Sequence, residues 1–326
     1  MSGAAKAGEQ WVALCGGVGG AKLALGLSRV LPAERLTIIV NTGDDFRHLG
    51  MHVSPDIDTV LYTLAGLSNT ELGWGLAGET WRFMEGVERL GGPAWFRLGD
   101  QDLATHAIRT AMLTEGRSLS EVTAYLAGRL GVGPTVVPMS DDAIATEVDT
   151  DEGTLAFQTY FVGRRAAPVV KAIRFVGASK AEPARAAVEV LAADDLAGII
   201  ICPSNPWLSI DPLLAIPGWR ALLAERRAPC IAVTPLVGGQ AIKGPTAKIM
   251  AELGLPLDVA AIVDHYARLI DGFVLDAVDN DRAGALKLPN LVTNTMMRTL
   301  EDRTALAEAC LGFCRRLRER GPEAAR

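Results

Sequence analysis

Apolar residues are gathered along this chain in short, nearly unbroken runs. Such runs lie near residues 12–15, 36–40, 198–202, 230–234 and 271–275, each bounded by glycine, proline or polar turn formers. Apolar runs of this length predict strands buried on both faces of a parallel sheet. Between them, stretches at 23–31, 60–67, 181–193 and 259–269 carry apolar residues along one helical side. Strand and helix alternate. The pattern predicts a doubly wound, mainly parallel α/β sheet of Rossmann-like type. A last strand is expected at 290–295 and a closing amphipathic helix at 305–317.

Residues 68–175 break the rhythm. Helical patterns at 79–90, 103–113 and 118–130 are followed by a strand ending near Met139. Two alternating stretches, 145–148 and 154–160, then flank Asp151-Glu152-Gly153 and predict a β-hairpin, with Arg164-Arg165 just beyond. The chain is thus expected to have a core built from 11–67 and 176–319. A helical and β-hairpin subdomain, 68–175, would be inserted in it. Trp74 and Trp81 in the insertion suit packing or a stacking wall for a flat ring.

Composition narrows the class. The 326 residues are 49% hydrophobic and 21% charged, which is globular. A net charge of −6 argues against a general nucleic-acid binder. The five cysteines form no Cys-x-x-Cys pair, and Cys310 and Cys314, one turn apart, suit core packing. Residues 1–10 lack an apolar signal core, and no run reaches membrane-spanning length. A reduced, cytoplasmic protein is expected.

The chemistry gathers at the ends of the predicted strands, where open α/β sheets bind ligands. The first strand runs directly into Gly16-Gly17-Val18-Gly19-Gly20-Ala21-Lys22. Glycine backbone at a helix start can cradle a phosphate, and Lys22 in that first turn makes best sense beside an anion. A plain tight turn with Lys22 in solvent is the alternative. The stretch lacks the Gly-Lys-Ser/Thr end of a P-loop and fails the GxGxxG spacing at Lys22. After the second strand come Asn41-Thr42-Gly43-Asp44-Asp45 and Ser54-Pro55-Asp56-Ile57-Asp58-Thr59. The second of these could be no more than a capped helix start. Asp44 and Asp45, however, would repel their neighbours unless a cation were shared. Carboxylates beside a phosphate cradle point to Mg²⁺. Ser204 and Asn205 follow the strand at 198–202, within a turn rich in prolines. Gly238, Gly239 and Lys243 form a second glycine loop after 230–234 and suit a diphosphate or a guanine edge.

Taken in order, these motifs and Leu98-Gly99-Asp100 resemble the 2-phospho-L-lactate transferase family of coenzyme F-420 biosynthesis. Bacterial members of that family are phosphoenolpyruvate transferases. The resemblance runs from Gly16 to about Asn294. It implies a Mg²⁺-dependent transferase. The deazaflavin Fo would attack a guanylylated phospho-acid donor and release GMP. It further implies Asp44 and Asp58 as catalytic metal ligands, with Asp45 as a third ligand or an outer partner. Asp58 would also orient or deprotonate the acceptor hydroxyl, and Arg97 would hold the acceptor. Gly16, Gly17, Gly19, Gly20, Lys22, Ser204, Asn205, Gly238, Gly239 and Lys243 would face the nucleotide and phosphates. A homodimer is implied as well. The donor acid stays open among enolpyruvate, lactate and glycerate, with enolpyruvate favoured. The competing expectation is a non-catalytic nucleotide-sugar-binding regulator of related fold.

Overall fold

The computed structural model describes residues 8–241 and 244–320. Seven strands form the central sheet: β1 (Gln10–Cys15), β2 (Leu36–Val40), β3 (Thr135–Pro138), β4 (Leu196–Ile201), β5 (Cys230–Val233), β6 (Gly272–Asp276) and β7 (Asn290–Thr293). Their spatial order is β7-β6-β5-β4-β1-β2-β3, and every neighbouring pair is parallel. The expected doubly wound sheet is present. Its strand order reverses between β1 and β4, so a crevice opens there between the loops at their carboxyl ends.

The runs are unbroken because both faces are covered. Trp11, Ala13 and Cys15 of β1 pack into one layer, and Val12 and Leu14 into the other. The first layer holds helices α1 (Gly17–Val30), α2 (Pro55–Leu64) and α4 (Leu300–Arg320). Gly26 lets α4 lie directly on α1, since a Cβ there would sit 2.1 Å from the carbonyl oxygen of Arg303. All five cysteines are free and buried, and Cys310 and Cys314 belong to this first layer.

Two features depart from the sequence pattern. Thr135–Pro138, grouped above with the insertion, pairs with β2 as the edge strand of the main sheet. Edge position suits it, since Pro138 cannot continue a ladder. The expected hairpin is a three-stranded antiparallel sheet, Ala145–Thr150, Gly153–Ala156 and Val170–Val176. Residues 157–160 leave it for a helical turn. Phe157 and Tyr160 there are buried against Val148, Val170, Leu208 and Ile249. Among the described residues, no helix is long and apolar enough to cross a membrane.

Candidate active site

A cavity of about 810 Å³ opens at the reversal point. Gly16, Gly17, Val18 and Gly19 form its floor beside Pro203, Ser204 and Asn205. The expected glycine turn is in fact the first turn of α1. The first-turn N–H groups of a helix have no partner within it, so they can serve a ligand. Gly19 fits against the β4 loop because a Cβ there would lie 2.3 Å from the Pro203 carbonyl oxygen. Gly20 sits behind the floor, against Cys15 and Ser204. Lys22 lines the cavity, and its Nζ donates to the Met297 carbonyl at 3.2 Å.

Ser204 and Asn205 line the same cavity and also brace it. The Ser204 hydroxyl donates to Gly16 O at 2.8 Å and accepts from Gly16 N at 3.2 Å. Asn205 Oδ1 accepts from the N–H groups of Trp207 and Leu208, while its Nδ2 donates to Thr246 Oγ1 at 3.1 Å. Gly238 and Gly239 lie elsewhere. They form the turn of the short hairpin Leu236–Val237 and Gln240–Ala241, with φ of +59° and +70°, and neither lines the cavity. Gly238 N donates to Asp279 Oδ2 at 2.9 Å. Lys243 is outside the described residues, although Gly244, Pro245 and Thr246 reach the cavity wall.

The carboxylates meet at the wall facing α1. Asp44, Asp56 and Asp58 line the cavity and are buried. Asp56 is more than a helix-start residue. Its Oδ1 accepts from Gly17 N at 2.7 Å, and its Oδ2 from Asn41 Nδ2 at 3.0 Å. Asn41 Nδ2 also donates to Asp44 Oδ1 at 3.2 Å, tying the two acids together. Burial pushes the Asp56 carboxyl up to about 6, against the lowering effect of those bonds. Asp44 is raised well above the usual range by burial and then by the charges of Asp56, Asp45 and Asp58. Asp45 is turned from the cavity: its Oδ2 accepts from Ser54 Oγ at 2.6 Å and sits 3.1 Å from His52 Nε2. Burial raises Asp45 as well.

Asp58 belongs to a second, deeper cluster. Helix α3 (Asp102–Thr114) presents Asp102, His106 and Arg109 along one side, all buried. Both Asp58 oxygens accept from the Arg109 guanidinium. His106 Nδ1 lies 3.6 Å from Asp58, and its Nε2 lies 3.3 Å from Asp102. Asp102 accepts from the Tyr62 hydroxyl at 2.5 Å. Asp58, Asp102 and His106 bring ligand atoms within 4.8 Å of one another. The Arg109 guanidinium on Asp58 and the Tyr62 phenol on Asp102 tie this trio into one ion-paired, hydrogen-bonded network. The helical pattern at 103–113 spans His106 and Arg109, and the sequence alone assigned them no role. Their spacing from Asp102, at i+4 and i+7, was the available signal, whereas Asn41 stood in the motif before Asp44 and was given no role of its own.

The third wall is aromatic. Trp74, Trp95 and Phe161 line the cavity and stay partly exposed. The Arg97 guanidinium, also at the wall, lies over the Trp81 ring, 4.6 Å from its centre.

The pattern of the family described as 2-phospho-L-lactate transferase CofD matches residues 11–298. The chain belongs to the CofD transferase family of coenzyme F-420 biosynthesis. Among the CofD proteins it resembles, the phosphoenolpyruvate transferase of Kitasatospora aureofaciens is 42% identical over 304 residues, 91% of this chain and 94% of that one. The phosphoenolpyruvate transferase of Streptomyces coelicolor is 38% identical, over 94% and 99% of the two chains. The 2-phospho-L-lactate transferase of Methanosarcina acetivorans is 37% identical, over 93% and 98%. A solved Bacillus halodurans protein of the UPF0052 family shares the fold, with a TM-score of 0.61 at 17% identity over 93% of this chain and 98% of its own.

Proposed function

We propose that this CofD-family enzyme transfers a phospho-acid from a guanylylated diphosphate donor to the deazaflavin Fo. The ribityl hydroxyl attacks the phosphorus that bears the acid. A new P–O bond forms, the bond to GMP breaks, and GMP leaves with the electron pair. Enolpyruvate is the favoured acid, in keeping with the names of the relatives from Kitasatospora and Streptomyces. The observation that carries this reading is the meeting, in one cavity, of a helix N-terminus, a carboxylate wall and an aromatic wall. The first suits a diphosphate. The third suits a flat ring, with Arg97 at its edge.

The all-oxygen donor set fits Mg²⁺. Buried Asp44, raised by its acidic neighbours, lacks the counter-charge that such an ion would bring. Asp44 and Asp58 would hold it, with Asp56 alongside. Bound there, the ion would neutralise charge on the transferring phosphate. Asp58 would accept or orient the attacking hydroxyl.

A pH dependence follows. Asp56 binds its proton more tightly in the folded chain than its ordinary value of 3.8 allows, up to about 6. The stability this adds, about 3 kcal/mol, is complete below pH 4 and lost as pH rises through 6. Without Mg²⁺, the contribution of Asp56 should lower the melting temperature between pH 4 and 7, and the Asp56→Asn variant should lack that fall. Added Mg²⁺ should raise the melting temperature more at pH 7 than at pH 5, because binding there displaces fewer protons. An equal Mg²⁺ effect at both pH values would detach the ion from these acids.

The function itself is tested by mixing protein, Mg²⁺, Fo and guanylylated phosphoenolpyruvate. Mass spectrometry should find GMP and the phosphoenolpyruvate–deazaflavin adduct, both lost with EDTA. Lactate and glycerate donors establish the acid. No adduct from any donor, with nucleotide still bound, would leave a nucleotide-binding regulator instead.

A further inference from the structure

We propose that Arg109 is a positioning residue that fixes the Asp58 carboxylate in the orientation used for transfer. The inference rests on the proposed transferase reading. The two residues sit on different parts of the chain. Asp58 is in the first turn of α2, beside the phosphate floor, and Arg109 is on α3, in the segment between β2 and β3. The guanidinium is fully buried and both of its terminal nitrogens donate to Asp58.

Three observations separate positioning from simple bracing. The first is that a buried charge pair is an inefficient brace, since apolar side chains of the same volume join two helices at no desolvation cost. The second concerns incomplete satisfaction: Arg109 Nε is buried with no hydrogen-bond partner among the described residues. Arg226 and Arg303 leave a buried Nε unmatched too, so what distinguishes Arg109 is where its matched donors go. Here the donors matched by a carboxylate are those that grip Asp58. The third is planarity. A guanidinium and a carboxylate joined by two bonds lie in one plane, which fixes the carboxylate's rotation as a single bond would not. Asp58 still lines the cavity while so held. His106 Nδ1 lies beside the guanidinium, 3.3 Å from Arg109 Nη1, and its Nε2 lies 3.3 Å from Asp102 without a hydrogen bond. Lysine cannot reproduce this grip, because an ammonium is a point charge without a fork.

The test uses the full-length protein with Mg²⁺, Fo and the guanylylated donor. Arg109→Lys keeps the charge and should fold, as circular dichroism and unchanged GMP affinity by calorimetry would verify. Its kcat should fall about 100-fold, the usual result of misplacing a reacting group by about 1 Å, with KM for both substrates within about threefold of wild type. Mn²⁺ binding, read by electron paramagnetic resonance, should weaken far less than kcat. In Arg109→Ala, added guanidinium ion at non-denaturing concentration should recover at least about tenfold in kcat, while methylammonium should not. A stability brace behaves otherwise. It would lower the melting temperature of both variants and leave kcat of folded Arg109→Lys near wild type, and that result overturns the proposal. Absence of turnover in the wild type would instead overturn the transferase reading, so the two failures are distinguishable.

Discussion

Replacing Asp58 by Asn is expected to lower kcat by about 10³-fold and to leave GMP affinity within about twofold. Asn keeps the shape of Asp and removes its charge. The Asp58 carboxylate bonds to Arg109 on α3, whereas the proposed nucleotide floor is made by Gly16 to Gly19 and Pro203 to Asn205. On the proposed mechanism, turnover would lose both a ligand for the cation and the group that orients the attacking hydroxyl. The variant should also be less stable, because the buried Arg109 guanidinium loses its counter-charge. Stranding a buried charge costs about 3 kcal/mol, roughly 4–5 °C in melting temperature for a chain of this size. Turnover must therefore be read well below that lowered melting point, by mass spectrometry of the adduct, with calorimetric titration of GMP alongside. Near wild-type turnover would remove Asp58 from the chemistry.

Gly19→Ala carries the second large effect. Two contributions oppose each other. Alanine in a helix gains about 1 kcal/mol over glycine. Its Cβ, however, would stand 2.3 Å from the Pro203 carbonyl oxygen, a backbone atom that cannot swing aside. Overpacking of this kind costs about 1–3 kcal/mol and sometimes more. The loops after β1 and β4 must part to admit it, and they are the two sides of the nucleotide floor. GMP affinity should drop at least about tenfold, with a melting temperature lower by up to about 3 °C. Gly17→Ala is the control. No atom lies within 4 Å of its Cβ, so only the strain of φ +63° remains, about 1 kcal/mol. Equal losses in the two variants would show that backbone strain, not the clash, sets the floor.

The central sheet was readable because burial on both faces makes its strands continuous apolar runs, and such runs need no partner to be recognised. Val170–Val176 escaped for the converse reason. It is an antiparallel strand with several exposed positions, and its pairing with Ala145–Thr150 is a long-range fact. The same divide runs through the site. The glycine floor and the acids at 44, 56 and 58 lie on contiguous stretches, and their position after strands was enough to group them. Arg109 was invisible as a partner of Asp58 because 51 residues separate them and only the packing of α3 on the core closes the gap. Asp45, expected as a third ligand or an outer partner, shows the converse. Adjacent to Asp44 in sequence, it points to His52 and Ser54, since neighbouring residues in a loop have no obligation to face the same way. Gly238 and Gly239 share the composition of a phosphate loop, but positive φ at both makes them a hairpin turn.

The packing of α4 on α1 sets an order of events on the ribosome. The glycine floor is synthesised before the parts that complete it: β1 is flanked on one side by β4, and its helix is covered by Leu300–Arg320. A nascent chain paused at Thr295 already carries every cavity carboxylate and glycine named above, with α1 still lacking its cover. On the proposed reading, nucleotide binding should therefore begin only when Leu300–Arg320 has left the exit tunnel.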